Sequence, residues 1–163
     1  MDFPPIPLLE GSLWLGSVRD ASNLAWLKSQ GIRNVVNVGH TPGRPSWMHA
    51  DGSKAPEAEA WIKTYTEVHP YDAPGYPILQ NHLHQVQPVL EKLYKDGERT
   101  LINCHQGINR STTLAVAFLT KLTGASATEI IALIRPRRPV LSNGSFVQQL
   151  LAWDKHTKNK PLQ

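Results

Sequence analysis

Leu101-Ile102-Asn103-Cys104-His105-Gln106-Gly107-Ile108-Asn109-Arg110-Ser111 is the stretch on which the reading of this chain turns. An apolar pair stops at the only cysteine in the sequence. A polar, glycine-containing turn follows, and Leu114-Ala115-Val116-Ala117-Phe118-Leu119 then reads as a buried helix. The pattern predicts a strand, a tight loop and a helix start. A loop that opens a helix turns its backbone N–H groups inward, where the positive end of the helix dipole also lies, so it forms a cup for an oxyanion. The same groups favour the thiolate of a cysteine at the base of the cup. Arg110, six residues after Cys104, stands where a guanidinium forks two oxygens of a phosphate and balances charge spreading over them. Lysine has no such fork. Two readings of Cys104 stand side by side at this point: a nucleophile, or the small buried hydrophobe that most free cysteines are.

Outward from that stretch, Leu13-Trp14-Leu15-Gly16-Ser17 and Ile32 to Val38 read as strands. Asp20 is expected to cap one helix between them that runs to Gln30 and stops at Gly31. Met1 to Pro7 is expected to be irregular, because three prolines in seven positions deny helix and discourage sheet. From Gly39 to about Lys63 the pattern dissolves into the turn clusters Thr41-Pro42-Gly43-Arg44-Pro45 and Ala50-Asp51-Gly52-Ser53. A connection of that length within a compact domain is either functional or a surface insertion that Trp47 and Trp61 anchor. Thr64 to Val68 alternates like a strand. A helix is expected from Leu83 to Asp96, with Pro88 as a possible kink, and Gly97 ends it. The buried helix ends at Gly124, Ser126 and Glu129 form a capping box for the next, and the last begins near Gly144 and fades from His156. Strands alternating with helices predict an α/β fold: a central, mainly parallel sheet of four to five strands, flanked by helices on both faces, with ligands at the carboxyl ends of strands.

Cys104-His105-Gln106-Gly107-Ile108-Asn109-Arg110-Ser111 resembles the Cys-x5-Arg-Ser/Thr signature of cysteine-based phosphatases, and its setting resembles the compact, atypical dual-specificity protein phosphatases. The segments Ile6 to Val38 and Arg137 to Leu150 are similar to that family's opening and C-terminal segments. The resemblance implies a protein tyrosine phosphatase-like fold and hydrolysis of phosphate monoesters on proteins through a phosphocysteine. Cys104 is then the nucleophile. Arg110 and the N–H groups of His105, Gln106, Gly107, Ile108 and Asn109 hold the phosphoryl group, and Ser111 serves the departing thiolate. Asp72, thirty-two residues before the cysteine, matches the family's general acid, although Asp72-Ala73-Pro74-Gly75 is also an ordinary turn. Asn143 matches an asparagine that braces the phosphate loop, with an N-cap as its plain alternative. Arg138 is expected either to meet a second phosphate or an acidic flank of the substrate or to lie, with Arg135 and Arg137, on a solvated helix end.

Three positions in and just before the loop depart from the family's pattern. Asn103 stands where histidine is usual before the nucleophile, and Gln106 and Asn109 replace the common alanine and serine. Asn109 resembles instead the RNA 5′-triphosphatase branch of the superfamily, which makes that activity the alternative. A non-catalytic phosphate-binding module is the third reading, and a lipid phosphatase is disfavoured because His105, Gln106, Ile108 and Asn109 include no lysine or arginine to meet a polyanionic head group.

At 163 residues the chain is expected to form a single domain over residues 1–163. A formal charge of +4 suits an anionic substrate, and no basic block reads as a nucleic-acid arm. One cysteine excludes an internal disulfide and suits a reducing compartment. No stretch has the length of apolar residues that a membrane span needs. The expectation is a cytoplasmic protein, the nucleus remaining open, that acts on phosphorylated proteins. It uses no cofactor and no metal, has no membrane association, and its oligomeric state is not specified by the sequence. His82 and His84, two apart on a helix, do not share a face as metal ligands would.

Overall fold

The computed structural model describes residues 3–39 and 43–159, the last three of these by backbone alone. Met1, Thr41 and Pro42, for which irregular structure and a turn were expected, lie outside the described residues, as does the end of the polar tail. Five strands, β1 (Ile6–Leu8), β2 (Leu13–Gly16), β3 (Asn34–Asn37), β4 (Thr64–Glu67) and β5 (Thr100–Asn103), form one sheet in the order β1-β2-β5-β3-β4. β2, β5, β3 and β4 run parallel and β1 is antiparallel to β2. The sheet is the expected one, with β5 at its centre.

Alternation along the strands sorts the core into two layers. Leu15, Val36 and Ile102 face one side, where α4 (Ile78–Lys95), α5 (Arg110–Thr123), α6 (Ala127–Ile134) and α7 (Gly144–Asn159) bury Leu90, Leu114, Ile134 and Phe146. Val35 and Leu101 face the other, where α1 (Val18–Ser22), α2 (Leu24–Ser29) and α3 (Pro56–Trp61) bury Ala21, Leu27 and Ala58. α5 is buried along Ser111 to Thr120 and closes on Gly124, whose φ of 78° is open to glycine at little cost and whose N–H reaches Thr120 O at 3.0 Å. A buried central strand thus feeds a buried central helix, and the loop between them is anchored at both ends.

Four expectations need correction. Ile6-Pro7-Leu8 is a strand: at the edge of the sheet proline lacks only an N–H that would otherwise go unpaired. The single helix from Asp20 to Gln30 is two. Ser17 caps α1 in a reciprocal box, accepting from Asp20 N while Asp20 Oδ2 accepts from Ser17 N at 2.8 Å, and Asn23 then caps α2 by accepting from Trp26 N at 3.0 Å. α4 begins at Ile78 and runs as one helix through Pro88. Ser126 accepts from Glu129 N at 3.1 Å as a simple cap.

The patternless stretch before β4 contains α3, started by Pro56 in the first turn, and it is anchored by its tryptophans. Trp47 donates to Ala21 O at 2.7 Å and packs edge-on against Tyr65. Trp61 donates to Ile32 O at 2.7 Å, with the Arg33 guanidinium 4.8 Å above its ring. Arg44 forks the Glu67 carboxylate at 2.9 and 3.0 Å, which ties the segment to the end of β4. Among the described residues no helix is long and apolar enough to cross a membrane.

Candidate active site

Cys104 sits directly after the last residue of β5, only 2% exposed, and its Sγ lies 3.2 Å from Ser111 Oγ in the first turn of α5. Between them residues 105 to 109 form a loop whose carbonyls are taken up from outside. Val18 N–H donates to His105 O at 3.1 Å, Arg138 Nη2 to Gln106 O at 2.8 Å and Leu141 N–H to Ile108 O at 2.9 Å. Because C=O and N–H of one peptide unit point in opposite directions, the N–H groups of Gln106, Gly107 and Asn109 are directed away from those partners. Gly107 makes the loop possible. Its φ is 70°, and a Cβ there would lie 2.5 Å from Gly16 O and 2.9 Å from Arg138 Nη2.

Arg110 opens α5 and donates from Nη1 to Pro70 O at 3.3 Å, while its Nε is buried without a protein partner among the described residues. Asp72 approaches from the loop after β4. Its Oδ2 accepts from Asn109 Nδ2 at 2.9 Å and its Oδ1 from Asn143 Nδ2 at 3.1 Å. Asn143 also donates to Ala73 O at 3.2 Å and, through its backbone N–H, to Asn109 Oδ1 at 3.1 Å. Cys104, Arg110, Ser111, Asn109, Asp72 and Asn143 are therefore joined around one loop, although they come from separate parts of the chain.

Arg138 takes a different place from the one expected. It is 3% exposed, and its Nη atoms donate to Phe3 O at 3.2 Å, Pro4 O at 2.8 Å and Gln106 O at 2.8 Å. The desolvation of this burial lowers its pKa, against the opposing pull of the Asp20 and Cys104 charges. A guanidinium bound to three carbonyls braces the loop from behind, and it is not turned outward to a second phosphate. Leu141, at a φ of 61°, is held in the same bracing segment.

Behind Cys104 lies a polar network that sequence reasoning missed. Asn103 donates to Asn37 Oδ1 at 3.2 Å, which also accepts from Gly39 N at 2.9 Å, and Asn37 Nδ2 donates to Tyr65 OH and to Gly43 O, each at 3.0 Å. The Tyr65 hydroxyl donates to Glu67 Oε1 at 2.7 Å. Burial pushes the Tyr65 phenol well above its ordinary value. Burial also acts to raise Glu67, but hydrogen bonds from Arg44 and Tyr65 and the charges of Arg44 and His69 outweigh it and hold that carboxyl below its usual range. The signal was present as asparagines inside apolar β-branched runs: a buried strand carries Asn only where its amide finds partners. His82 is engaged with Tyr76 OH at 2.6 Å and Gln85 Oε1 at 3.1 Å.

Comparison with known proteins bears on this arrangement. The family model described as dual specificity phosphatase, catalytic domain, matches residues 13–156. The chain is 29% identical over 147 residues to dual specificity protein phosphatase 26 of Bos taurus, covering 90% of this chain and 65% of the relative. It is 28% identical over 158 residues to dual specificity protein phosphatase Mpk3 of Drosophila melanogaster, covering 96% of this chain and 36% of the relative. The chain thus spans less than two thirds of the length of either. The crystal structure of human DUSP28 superposes with a TM-score of 0.73 at 24% identity, covering 97% of this chain and 99% of that one, a likeness of fold.

Proposed function

This chain belongs to the dual specificity phosphatase catalytic-domain family, and from that premise we propose that it is a cysteine-dependent protein phosphatase acting on phosphotyrosine and on phosphoserine or phosphothreonine. The observation that carries the reading is the convergence on one loop of a buried thiol, a guanidinium whose Nε has no partner among the described residues and a carboxyl group from an opposing loop. A buried donor without a partner costs free energy, and a phosphoryl oxygen satisfies it.

In the first step the Cys104 thiolate attacks phosphorus and the S–P bond forms as the P–O bond to the substrate breaks. The departing oxygen takes a proton from Asp72 and leaves as an alcohol or phenol. Arg110 and the loop N–H groups hold the three non-bridging oxygens, where charge spreads in the transition state. In the second step water attacks the phosphocysteine and gives its proton to the Asp72 carboxylate. The S–P bond breaks, inorganic phosphate leaves, and the Ser111 hydroxyl donates a hydrogen bond to the sulfur as it becomes a thiolate. One group ionised and one protonated give a bell-shaped rate profile with its optimum below about pH 7.

The test is phosphate release from a panel of phosphotyrosine peptide, phosphothreonine peptide and 5′-triphosphate RNA, with Cys104→Ser as control. Release from the peptides that is lost in Cys104→Ser supports the reading. Release from the RNA alone, or binding without turnover, would replace it with the triphosphatase or with the non-catalytic module.

A further inference from the structure

We infer that Asn109 is a positioning residue for the general acid: its side-chain amide, inside the phosphate loop, orients the Asp72 carboxyl group toward the leaving oxygen. This rests on the function proposed above and adds a role to a residue that was expected to contribute only its backbone N–H.

Asn109 is 8% exposed and its side chain is bound at both ends. Oδ1 accepts the backbone N–H of Asn143 at 3.1 Å and the Ser142 hydroxyl at 3.4 Å; Nδ2 donates to Asp72 Oδ2 at 2.9 Å and to Ser142 Oγ at 3.1 Å. A backbone N–H can only donate, so the atom facing Asn143 N must be the amide oxygen, and the NH2 group is thereby aimed at Asp72 independently of anything Asp72 does. The other carboxylate oxygen is met by Asn143, so two amides hold the carboxyl group in one orientation. Arg110 at Pro70 O and Ser145 Oγ at Gly75 N, 2.9 Å, hold the loop on either side of it.

The chemistry of the donor matters as much as its place. A carboxyl group that serves as acid in one step and base in the next must be held in both states. A carboxylic acid keeps acceptor lone pairs on both oxygens beside its own O–H, so two neutral amide donors remain bonded before and after proton transfer. A cation in place of Asn109 would oppose the protonated state. Serine, common at this position in the family, has a side chain one bond too short to reach Asp72 Oδ2 from the same backbone while the backbone is kept. Asn109 therefore couples the phosphate loop to the acid-bearing loop, and the acid is placed by the same segment that binds the phosphoryl group.

The test uses a series of aryl phosphates with leaving groups from phenol to dinitrophenol, because only poor leaving groups need the proton. For Asn109→Ala, kcat/KM for phenyl phosphate is expected to fall by about tenfold or more, and for the dinitrophenyl ester by less than about threefold, so that the dependence on leaving-group pKa steepens toward that of Asp72→Asn. In the Asp72→Asn background, Asn109→Ala should then cost nothing further. Should Asn109→Ala fail to fold, Asn109→Ser carries the same expectation. An equal loss on all esters, or a full loss persisting without Asp72, makes Asn109 a purely structural residue and overturns the inference. Wild-type protein without Cys104-dependent release overturns the reading of the site itself, a separate outcome.

Discussion

Ser111 Oγ lies 3.2 Å from Cys104 Sγ, and both residues are buried. The serine is held by the first turn of α5 and the cysteine by the end of β5, so the contact is set by two buried central elements of the fold.

That contact predicts a divided effect of Ser111→Ala. A hydrogen bond to a charged group contributes roughly 1.5–3 kcal/mol, so breakdown of the phosphocysteine should slow by roughly 10- to 100-fold. Its formation should change little. Rapid-mixing kinetics with an aryl phosphate should show a burst of released phenol that wild type lacks; a uniform slowing without a burst counts against the assignment.

Gly107→Ala should disable the loop. The φ of 70° and the 2.5 Å approach to Gly16 O leave no room for a methyl group, so β2 and the loop must separate. A shift of this kind costs at least about 100-fold in kcat/KM, measured on a small aryl phosphate whose binding needs only the loop. Activity within a few-fold of wild type would show that the loop adapts.

Arg138→Met leaves three backbone carbonyls without their donor. We expect a stability loss of about 1–3 kcal/mol in urea unfolding, and a fall in kcat of about tenfold that is the same for singly and doubly phosphorylated peptides. A rise in KM confined to the doubly phosphorylated peptide would instead restore the outward role expected from sequence.

Glu67 makes stability depend on pH. Its folded pKa is held below the unfolded value, so its contribution is fully present above the unfolded value near about 4.3 and is lost as pH falls through the folded one. The gap in unfolding free energy between wild type and Glu67→Gln should therefore be widest near neutrality and close in acid. A gap constant across that range would mean that the carboxylate's charge is not what the network uses.

Asn37→Ala tests the network behind Cys104. It strips partners from Gly39 N, Gly43 O and the Asn103 amide at once, and should cost about 2–4 kcal/mol by denaturant unfolding with unchanged slope. A loss below about 0.5 kcal/mol would show that water replaces it.

The local frame was legible in the order of residues alone. The apolar runs at Leu101-Ile102 and Val35-Val36 specified strands buried on both faces, the run from Leu114 to Leu119 specified a buried helix, and the polar turn between Cys104 and Arg110 specified a tight loop opening that helix, because each is set by neighbours within a few residues. The edge strand at Pro7 and the break at Asn23 were obscured because both depend on what lies alongside. What surrounds the loop was set by long-range packing. Asn109 and Asp72 are 37 residues apart, Asn143 and Asp72 71, and Arg138 and Pro4 134. A side-chain hydrogen bond reaches about 3 Å, so its partner is chosen by how packed elements bring distant segments together, and no local pattern records that choice. Arg138 faces the loop, and not the solvent, for this reason: burying a guanidinium requires acceptors, and the fold supplies the carbonyls of Phe3, Pro4 and Gln106 where the sequence shows only a row of arginines.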